Sequence, residues 1–279
     1  MTTAAPKIEV YGLSHTGKVR EDNQDAIRMC KADDPLNVAN GYLYGIADGM
    51  GGYSHGGVAS ALALTVFFET FYTGKPGKIG PSMRNAIQSA NLGVYQHAQK
   101  MNLGRMGTTL TAVNLAGNRL HIAHIGDSRA YLIRNGKSSC LTNDHTMVGE
   151  LVRMRLLSPD KVRTHAQRSK LDKCLGMDLF IQPDITEVGL MPDDIIILCT
   201  DGVWSVIEDD EFARLTDSAS GPENLSQRLI DLALERDSDD NVSVVTIHAE
   251  RLAEVPAPVH AKRGFGFPHL LRGRFTDKS

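Results

Sequence analysis

The middle of the chain contains three short apolar runs that follow one another with very little sequence between them. The runs cover residues 108–115, 119–125 and 130–133. Gly117-Asn118 separates the first two runs, and Asn135-Gly136, a pair favoured in tight hairpins, follows the third. Parallel neighbours would need a crossover connection of about a dozen or more residues. These runs are therefore predicted to form antiparallel strands.

Segments with apolar residues at three- and four-residue steps predict helices, and other apolar runs predict further strands. The predicted helices cover residues 58–72, 82–100, 209–215 and 225–235. The other predicted strands cover residues 8–13, 41–47, 194–199 and 242–248. Two helices come after the first strands and two before the last strand. This order predicts an α+β fold in which helices pack outside antiparallel sheets.

The composition limits the class of protein. Hydrophobic residues make up 42% of the chain and charged residues 23%, a balance typical of globular domains. The net charge of -3 argues against a dedicated nucleic-acid-binding protein. No run reaches about 18 apolar residues, and the N-terminus lacks the pattern of a signal sequence. We therefore expect neither a membrane span nor export.

The cysteines of the chain are widely spaced. They are Cys30, Cys140, Cys174 and Cys199, and none belongs to a CxxC pair. This spacing indicates reduced thiols rather than a disulfide framework or a zinc site. A cytoplasmic location is therefore expected.

Aspartates stand out beside glycine or asparagine near the ends of predicted strands. They are Asp48-Gly49, Asp201-Gly202, Asp240-Asn241 and, in an earlier polar segment, Asp25. A glycine after the aspartate permits a sharp turn and brings a carbonyl oxygen close. Divalent cations prefer such oxygen ligands, and gathered carboxylates repel one another without a cation. The repeated pattern predicts a metal site, although a single Asp-Gly is more often an ordinary turn.

The glycines of residues 49–57 could also indicate a phosphate-binding loop. However, this segment lacks the Lys-Ser/Thr pair of a P-loop and the glycine spacing of a dinucleotide fingerprint. Both interpretations are weak beside the metal site.

The aspartates belong to an ordered set of motifs between about Glu9 and Ala249. The motifs are Val19-Arg20, Asn23-Gln24-Asp25, Ala47-Asp48-Gly49-Met50-Gly51-Gly52, Gly107-Thr108-Thr109-Leu110, Gly126-Asp127-Ser128-Arg129-Ala130-Tyr131, Leu141-Thr142-Asn143-Asp144-His145, Thr200-Asp201-Gly202-Val203-Trp204 and Asp240-Asn241-Val242-Ser243. In this order and spacing, the chain resembles the metal-dependent type 2C serine/threonine protein phosphatases (the PPM family), especially their bacterial single-domain members. The resemblance implies a four-layer α-β-β-α sandwich with two central antiparallel β-sheets flanked by helices.

The resemblance also implies a set of metal ligands. Asp48 would bridge two Mn²⁺ or Mg²⁺ ions, and Gly49 would offer its carbonyl oxygen to one of them. Asp201 and Asp240 would bind the other ion, and Asp25 would act through metal-bound waters. A hydroxide shared by the two ions would attack the phosphorus in line, without a covalent phosphoenzyme.

Further roles follow from the same resemblance. Arg20 would bind the substrate phosphate through the fork of its guanidinium group. Asp127 would join Asp201 in holding a third, weaker ion, or would simply organise the turn before Ser128. Many relatives carry a histidine directly after the Asp-Gly-Met-Gly-Gly segment, where this chain has Tyr53. His55 could replace it as a general acid, or could be a solvent-exposed loop residue.

A basic segment at about residues 145–177 corresponds to the flap of the family, a variable segment beside the active site. We expect a mobile excursion in which Arg153, His165 and Arg168 influence substrate choice, although a solvated charged loop is the alternative. Residues 1–250 are predicted to form the phosphatase domain, and residues 251–279 a flexible C-terminal tail.

The predicted activity is hydrolysis of phosphoserine and phosphothreonine in proteins, opposing a serine/threonine kinase. The expected partners are phosphoprotein substrates and a cognate kinase, with no nucleic acid or membrane, and the expected state is a monomer. Two alternatives stay open: a regulatory pseudophosphatase that binds phosphoproteins, and a two-metal hydrolase of small phosphomonoesters.

Overall fold

The structure, a computed structural model, describes residues 6–50 and 55–252. The strands are β1 (Lys7–His15), β2 (Asp25–Met29), β3 (Tyr42–Met50), β4 (Gly107–Thr108), β5 (Leu110–Ala116), β6 (Arg119–Ile125), β7 (Arg129–Arg134), β8 (Lys137–Cys140), β9 (Asp184–Gly189), β10 (Asp194–Cys199) and β11 (Val242–Arg251). The helices are α1 (Leu36–Asn40), α2 (His55–Tyr72), α3 (Ile79–Met101), α4 (Met147–Arg153), α5 (Asp201–Trp204), α6 (Asp209–Asp217) and α7 (Pro222–Glu235), with a 3-10 turn at Pro159–Lys161. None of these described helices is long and apolar enough to cross a membrane.

The strands form two sheets in which every pairing is antiparallel. Sheet I has the order β1-β11-β10-β7-β8, and sheet II has the order β2-β3-β5-β6-β9, with β4 paired to β3. The three closely spaced runs are β5, β6 and β7, but the third crosses to the other sheet. The predicted antiparallel arrangement is confirmed.

Alternation along the strands produces the layers. On β7, Ala130 and Leu132 pack between the sheets, whereas Tyr131 and Ile133 pack against the helices outside sheet I. Successive side chains of a strand point to opposite faces, so both faces of this strand are apolar. Helices α2 and α3 cover sheet II, while α5, α6 and α7 cover sheet I. The predicted four-layer α-β-β-α sandwich is therefore confirmed.

Several elements differ from the sequence prediction. The four predicted helices are present with slightly wider bounds, and α2 begins three residues early, at His55. Strands β2, β8 and β9 were not predicted, because their side chains are mostly half-buried or exposed and carry little apolar signal. Strand β2 matters most, because it carries Asp25.

The flap is more firmly attached than a solvated loop would be. Arg163 donates to the carbonyl oxygens of Trp204 and Ile207 and forms ion pairs with Glu208 and Asp209. Its side chain is only 11% exposed. Strand β11 extends to Arg251, and the rest of the predicted tail, from residue 253, lies outside the described residues. The proposed domain boundary near residue 250 stays a prediction.

Candidate metal centre and active site

Asp25 and Asp48 face each other across neighbouring strands of sheet II. They are directly paired in the register of β2 and β3. The Oδ2 atom of Asp25 accepts hydrogen bonds from Thr200 Oγ1 at 2.9 Å and Ser243 Oγ at 2.6 Å. Thr200 and Ser243 belong to the sheet I side of the sandwich. Asp25 therefore joins the two sheets at the end where the acidic residues gather.

Asp201 and Asp240 lie next to the ends of strands of sheet I. Asp201 begins α5, one residue after Thr200 at the end of β10, and Asp240 lies in the loop before β11. The Oδ1 atom of Asp240 accepts from the N–H of Asn241 at 2.8 Å, and its Oδ2 atom accepts from Arg20 Nη2 at 2.6 Å. In this structure Arg20 thus contacts a predicted metal ligand directly.

The glycines after Asp48 and Asp201 are explained by close packing rather than by a sharp turn. Neither has a positive φ angle. A Cβ atom on Gly49 would lie 2.0 Å from the carbonyl oxygen of Gly56, and one on Gly202 would lie 2.0 Å from the carbonyl oxygen of Asn241. The expectation that both aspartates end strands is also corrected, because Asp48 lies inside β3 and Asp201 begins a helix.

Asp127 lies in the turn between β6 and β7, and its side chain and backbone have separate contacts. Its carbonyl oxygen accepts a 2.9 Å hydrogen bond from Trp204 Nε1, and its carboxylate lines the cleft. The backbone of Asp127 thus joins the turn to α5, and the choice between a metal ligand and a residue that only organises the turn stays a prediction. The carboxylate is nevertheless directed at the predicted metal site.

One cleft of about 650 Å³ brings most of the predicted residues together. It is lined by Val19, Arg20, Glu21, Asp22, Gln24, Asp48, Gly49, Met50, Asp127, Ser169, Leu171, Asp201, Asp240 and Asn241. Sequence reasoning missed the supporting residues, above all Thr200 and Ser243. Their sequence signal is adjacency: Thr200 precedes Asp201, and Ser243 follows the Asp240-Asn241 motif.

Asp25 is not among the residues that line the cleft, but it is paired with Asp48 in the strand register. Burial and mutual repulsion keep Asp25 and the carboxylates of the cleft from ionising easily. Burial, opposed by the two hydroxyl donors, raises the pKa of Asp25 to about 7. Burial and then Asp240 raise the pKa of Asp201 to about 6. Burial followed by neighbouring aspartates raises the pKa values of Asp48 and Asp127 well above the usual range. A divalent cation would relieve these repulsions.

The residues present fit a hard divalent cation. Asp25 Oδ1 and Asp201 Oδ1 are buried and have no hydrogen-bond partner among the described residues. An ionised oxygen without a partner is costly, and a cation provides the missing interaction. In residues 6–50 and 55–252, no three His, Cys, Asp or Glu side chains already form a group that could hold a metal ion.

The three flap candidates have different surroundings. Arg168 lies 3.5 Å from Asp239 Oδ2. Burial and Asp240 raise the pKa of Asp201, and Arg168 partly opposes that rise. The next residue, Ser169, lines the cleft. Arg153 instead pairs with Glu150 of its own helix, and His165 Nδ1 accepts from the N–H of Gln167. Only Arg168 is brought beside the acidic residues.

The two candidates for a general acid are only partly described. Tyr53 lies outside the described residues. His55 is the first residue of α2 and is half-buried, so the alternative of a solvent-exposed loop histidine is wrong. It is not among the residues that line the cleft.

Comparison with known proteins identifies the family. The family model described as protein phosphatase 2C matches residues 12–232. The chain belongs to the protein phosphatase 2C family. A Streptococcus pyogenes protein assigned to the 2C type of protein phosphatases is 32% identical to this phosphatase over 238 residues, which are 84% of this chain and 94% of that protein.

Solved structures of bacterial phosphatases share the fold of this protein phosphatase 2C. The serine/threonine phosphatase PstP/Ppp of Mycobacterium tuberculosis has a TM-score of 0.77 and 32% identity, covering 88% of this chain and 99% of that chain. The catalytic domain of PstP in complex with two manganese ions has a TM-score of 0.75 and 29% identity, with the same coverage of 88% and 99%. The resemblance drawn from the motifs is confirmed.

The raised pKa values predict how metal-free protein responds to pH. Aspartates of the unfolded chain have a pKa near 4, whereas in the folded protein the pKa of Asp201 is about 6 and that of Asp25 is about 7. Their stabilising effect is therefore present below about pH 4 and is lost as the pH rises to about 7. In chelator, the melting temperature is expected to fall between about pH 4 and pH 7, and saturating Mn²⁺ above that range is expected to restore it because ligation needs ionised carboxylates.

Circular dichroism melting in EDTA and in MnCl₂ measures this response. Asp201→Asn removes one titrating group, so its melting temperature in EDTA should depend less on pH than that of the unsubstituted protein. An unchanged melting temperature on adding Mn²⁺ at about pH 8 would contradict the interpretation of the cleft as a cation site.

Proposed function

We propose that this protein phosphatase 2C hydrolyses phosphoserine and phosphothreonine in proteins, using two Mn²⁺ or Mg²⁺ ions held in the acidic cleft. The observation that carries the proposal is the gathering of carboxylates from both sheets in one cleft, with buried oxygen atoms on Asp25 and Asp201 that lack a hydrogen-bond partner among the described residues. The names of the bacterial serine/threonine phosphatases with the same fold support the substrate class.

The residues that would hold the ions are those at the cleft floor. Asp48 would contact both ions, with the carbonyl oxygen of Gly49 on one and Asp201 and Asp240 on the other. Asp25 would act through water, and a third, weaker ion would use Asp127 with Asp201. These ions supply charge neutralisation and an activated water for attack on the phosphorus.

The remaining chemistry belongs to the side chains of the chain itself. Arg20 lies at the cleft and donates one hydrogen bond to Asp240. Its guanidinium group can form two parallel hydrogen bonds to a phosphate. Thr200 and Ser243 hold Asp25 in place through its Oδ2 atom and leave its Oδ1 atom available. A cognate kinase, a monomeric state and a cytoplasmic location stay predictions.

Replacing Asp201 tests the ligand set. Asp201→Asn removes a negative charge from the proposed site for two metal ions. Mn²⁺-dependent hydrolysis of a phosphothreonine peptide should therefore fall by more than the roughly 10–100-fold loss that is typical when an outer-shell partner is replaced. Asp210→Asn, on the surface of α6 with a side chain 75% exposed, is the matched control and should leave the rate unchanged. Wild-type activity in Asp201→Asn would show that this residue is not a ligand.

The same assay distinguishes the alternatives. A pseudophosphatase would bind the phosphopeptide without releasing phosphate at any Mn²⁺ concentration, and would not hydrolyse p-nitrophenyl phosphate. A hydrolase of small phosphomonoesters would prefer sugar phosphates to phosphopeptides. Either result would overturn the proposal.

Replacing Arg20 tests phosphate binding. Arg20→Ala removes a charge-assisted hydrogen bond to the substrate, so the KM for the phosphopeptide should rise about 10-fold. Arg214→Ala, with a side chain 66% exposed on α6, is the control. Mn²⁺ titration of both variants separates an effect on the substrate from one on Asp240. Unchanged KM and turnover in Arg20→Ala would remove Arg20 from the phosphate site.

Replacing Arg168 tests the role of the flap in substrate choice. We propose that Arg168, which lies beside the acidic cleft, attracts acidic phosphopeptides, while the contacts of Arg153 and His165 give less support to a role for them. Arg168→Ala should reduce the preference for acidic over basic phosphopeptides, most clearly at low salt. Arg214→Ala should preserve that preference. Equal rates on both peptides before and after substitution would exclude this role.

A further inference from the structure

A fully buried histidine joins the Asp127 turn to the flap. His145 Nδ1 accepts a 3.1 Å hydrogen bond from the N–H of Gly126, and the backbone N–H of His145 donates to the carbonyl oxygen of Gly126 at 2.7 Å. The side chain is 0% exposed. One residue therefore holds both backbone hydrogen-bonding groups of Gly126.

Gly126 determines where Asp127 points. Its φ angle is +106°, and a Cβ atom at this position would lie 2.5 Å from the Cβ atom of Thr109. The turn is thus accessible to glycine but strained for other residues. Asp127 follows immediately and directs its carboxylate into the cleft. A change in the Gly126 peptide would move that carboxylate.

The other side of His145 holds the flap. Its carbonyl oxygen accepts a 2.8 Å hydrogen bond from the N–H of Asp172, and the neighbouring Thr146 forms a β-bridge with Leu171. Leu171 and Ser169 line the same cleft as Asp48, Asp127 and Asp201. His145 therefore connects the turn that carries Asp127 to the flap residues that line the cleft.

The hydrogen bond from Gly126 also determines the tautomer of His145. Because Nδ1 accepts, the neutral ring carries its proton on Nε2. Nε2 is buried without a hydrogen-bond partner among the described residues, and the nearby carboxylate oxygen, Asp184 Oδ2, lies 3.3 Å away but is not aligned for a hydrogen bond. Burial lowers the pKa of His145, which keeps the ring neutral. A carboxylate beside Nε2–H favours the tautomer that leaves Nδ1 free to accept.

We propose that His145, with the Asp184 carboxylate beside its Nε2 atom, is a positioning residue that sets the direction of Asp127 and thereby the affinity of the Asp127-dependent cation site. The inference rests on the proposed function, because it assumes that Asp127 is a ligand. A histidine that only filled space would not need an acceptor at Nδ1, and leucine would fill the same volume without a buried Nε2 that lacks a partner. The Nδ1 acceptor is what binds the N–H of Gly126.

The test is Mn²⁺ binding to the full chain, measured by isothermal titration calorimetry. His145→Leu is expected to weaken the Asp127-dependent site about 10-fold, as loss of an outer-shell partner does. Asp127→Asn should weaken the same site, and the double variant should be no weaker than Asp127→Asn alone. His145→Asn places an oxygen near the position of Nδ1 and should restore most of the affinity. His121→Leu, at another histidine beside a carboxylate but remote from Gly126, should bind like the unsubstituted protein.

Melting curves identify variants that fail to fold. If His145→Leu does not fold, Asp184→Ala takes its place, because the Asp184 side chain is 37% exposed and its removal disturbs the core less. Asp184→Ala should also weaken Mn²⁺ binding. The inference is overturned if His145→Leu, or Asp184→Ala in its place, binds Mn²⁺ like the unsubstituted protein. It is equally overturned if His145→Asn loses as much affinity as His145→Leu, because the role would then be structural only. Failure of the proposed function is distinct, since Asp127→Asn itself would then bind Mn²⁺ normally.

Discussion

The burial of Asp25, Asp48, Asp127 and Asp201 close to one another is the constraint on which this end of the sandwich depends, because burial first and then neighbouring charges raise the pKa of each. The four residues come from both sheets, so the two halves of the core must pack closely to bring them together. That packing is unfavourable for the carboxylates unless protons or cations neutralise them. The cleft therefore binds cations favourably. A phosphatase needs positive charge where phosphate binds.

The surrounding residues hold this arrangement and neutralise it only in part. Thr200 and Ser243 satisfy one oxygen of Asp25, and the close approaches at Gly49 and Gly202 allow neighbouring backbones to meet behind the aspartates. Arg20 is the cation that contacts Asp240 directly, and its side chain is 54% exposed. An exposed guanidinium can exchange a carboxylate for a phosphate at small cost, whereas a buried one could not.

Much of the fold was predictable because its signals are local. Short turns required antiparallel strands, and regular apolar steps located α2, α3, α6 and α7. The candidate ligands were also recognisable, since their motifs occur in a specific order. Strands β2 and β9 were missed because a half-exposed strand lacks the apolar run that reveals a buried one. The hydrogen bonds from Ser243 to Asp25 and from Gly126 to His145 connect residues that are not neighbours in sequence. Only the tertiary structure reveals these contacts.

Anomalous diffraction at the manganese absorption edge, from crystals grown with MnCl₂, tests the central claim most directly. We expect peaks inside the cleft, in contact with Asp48, Asp201 and Asp240, and movement of Arg20 away from Asp240. Manganese bound elsewhere on the protein, with Arg20 still paired to Asp240 and Asp201 Oδ1 still without a partner, would contradict it.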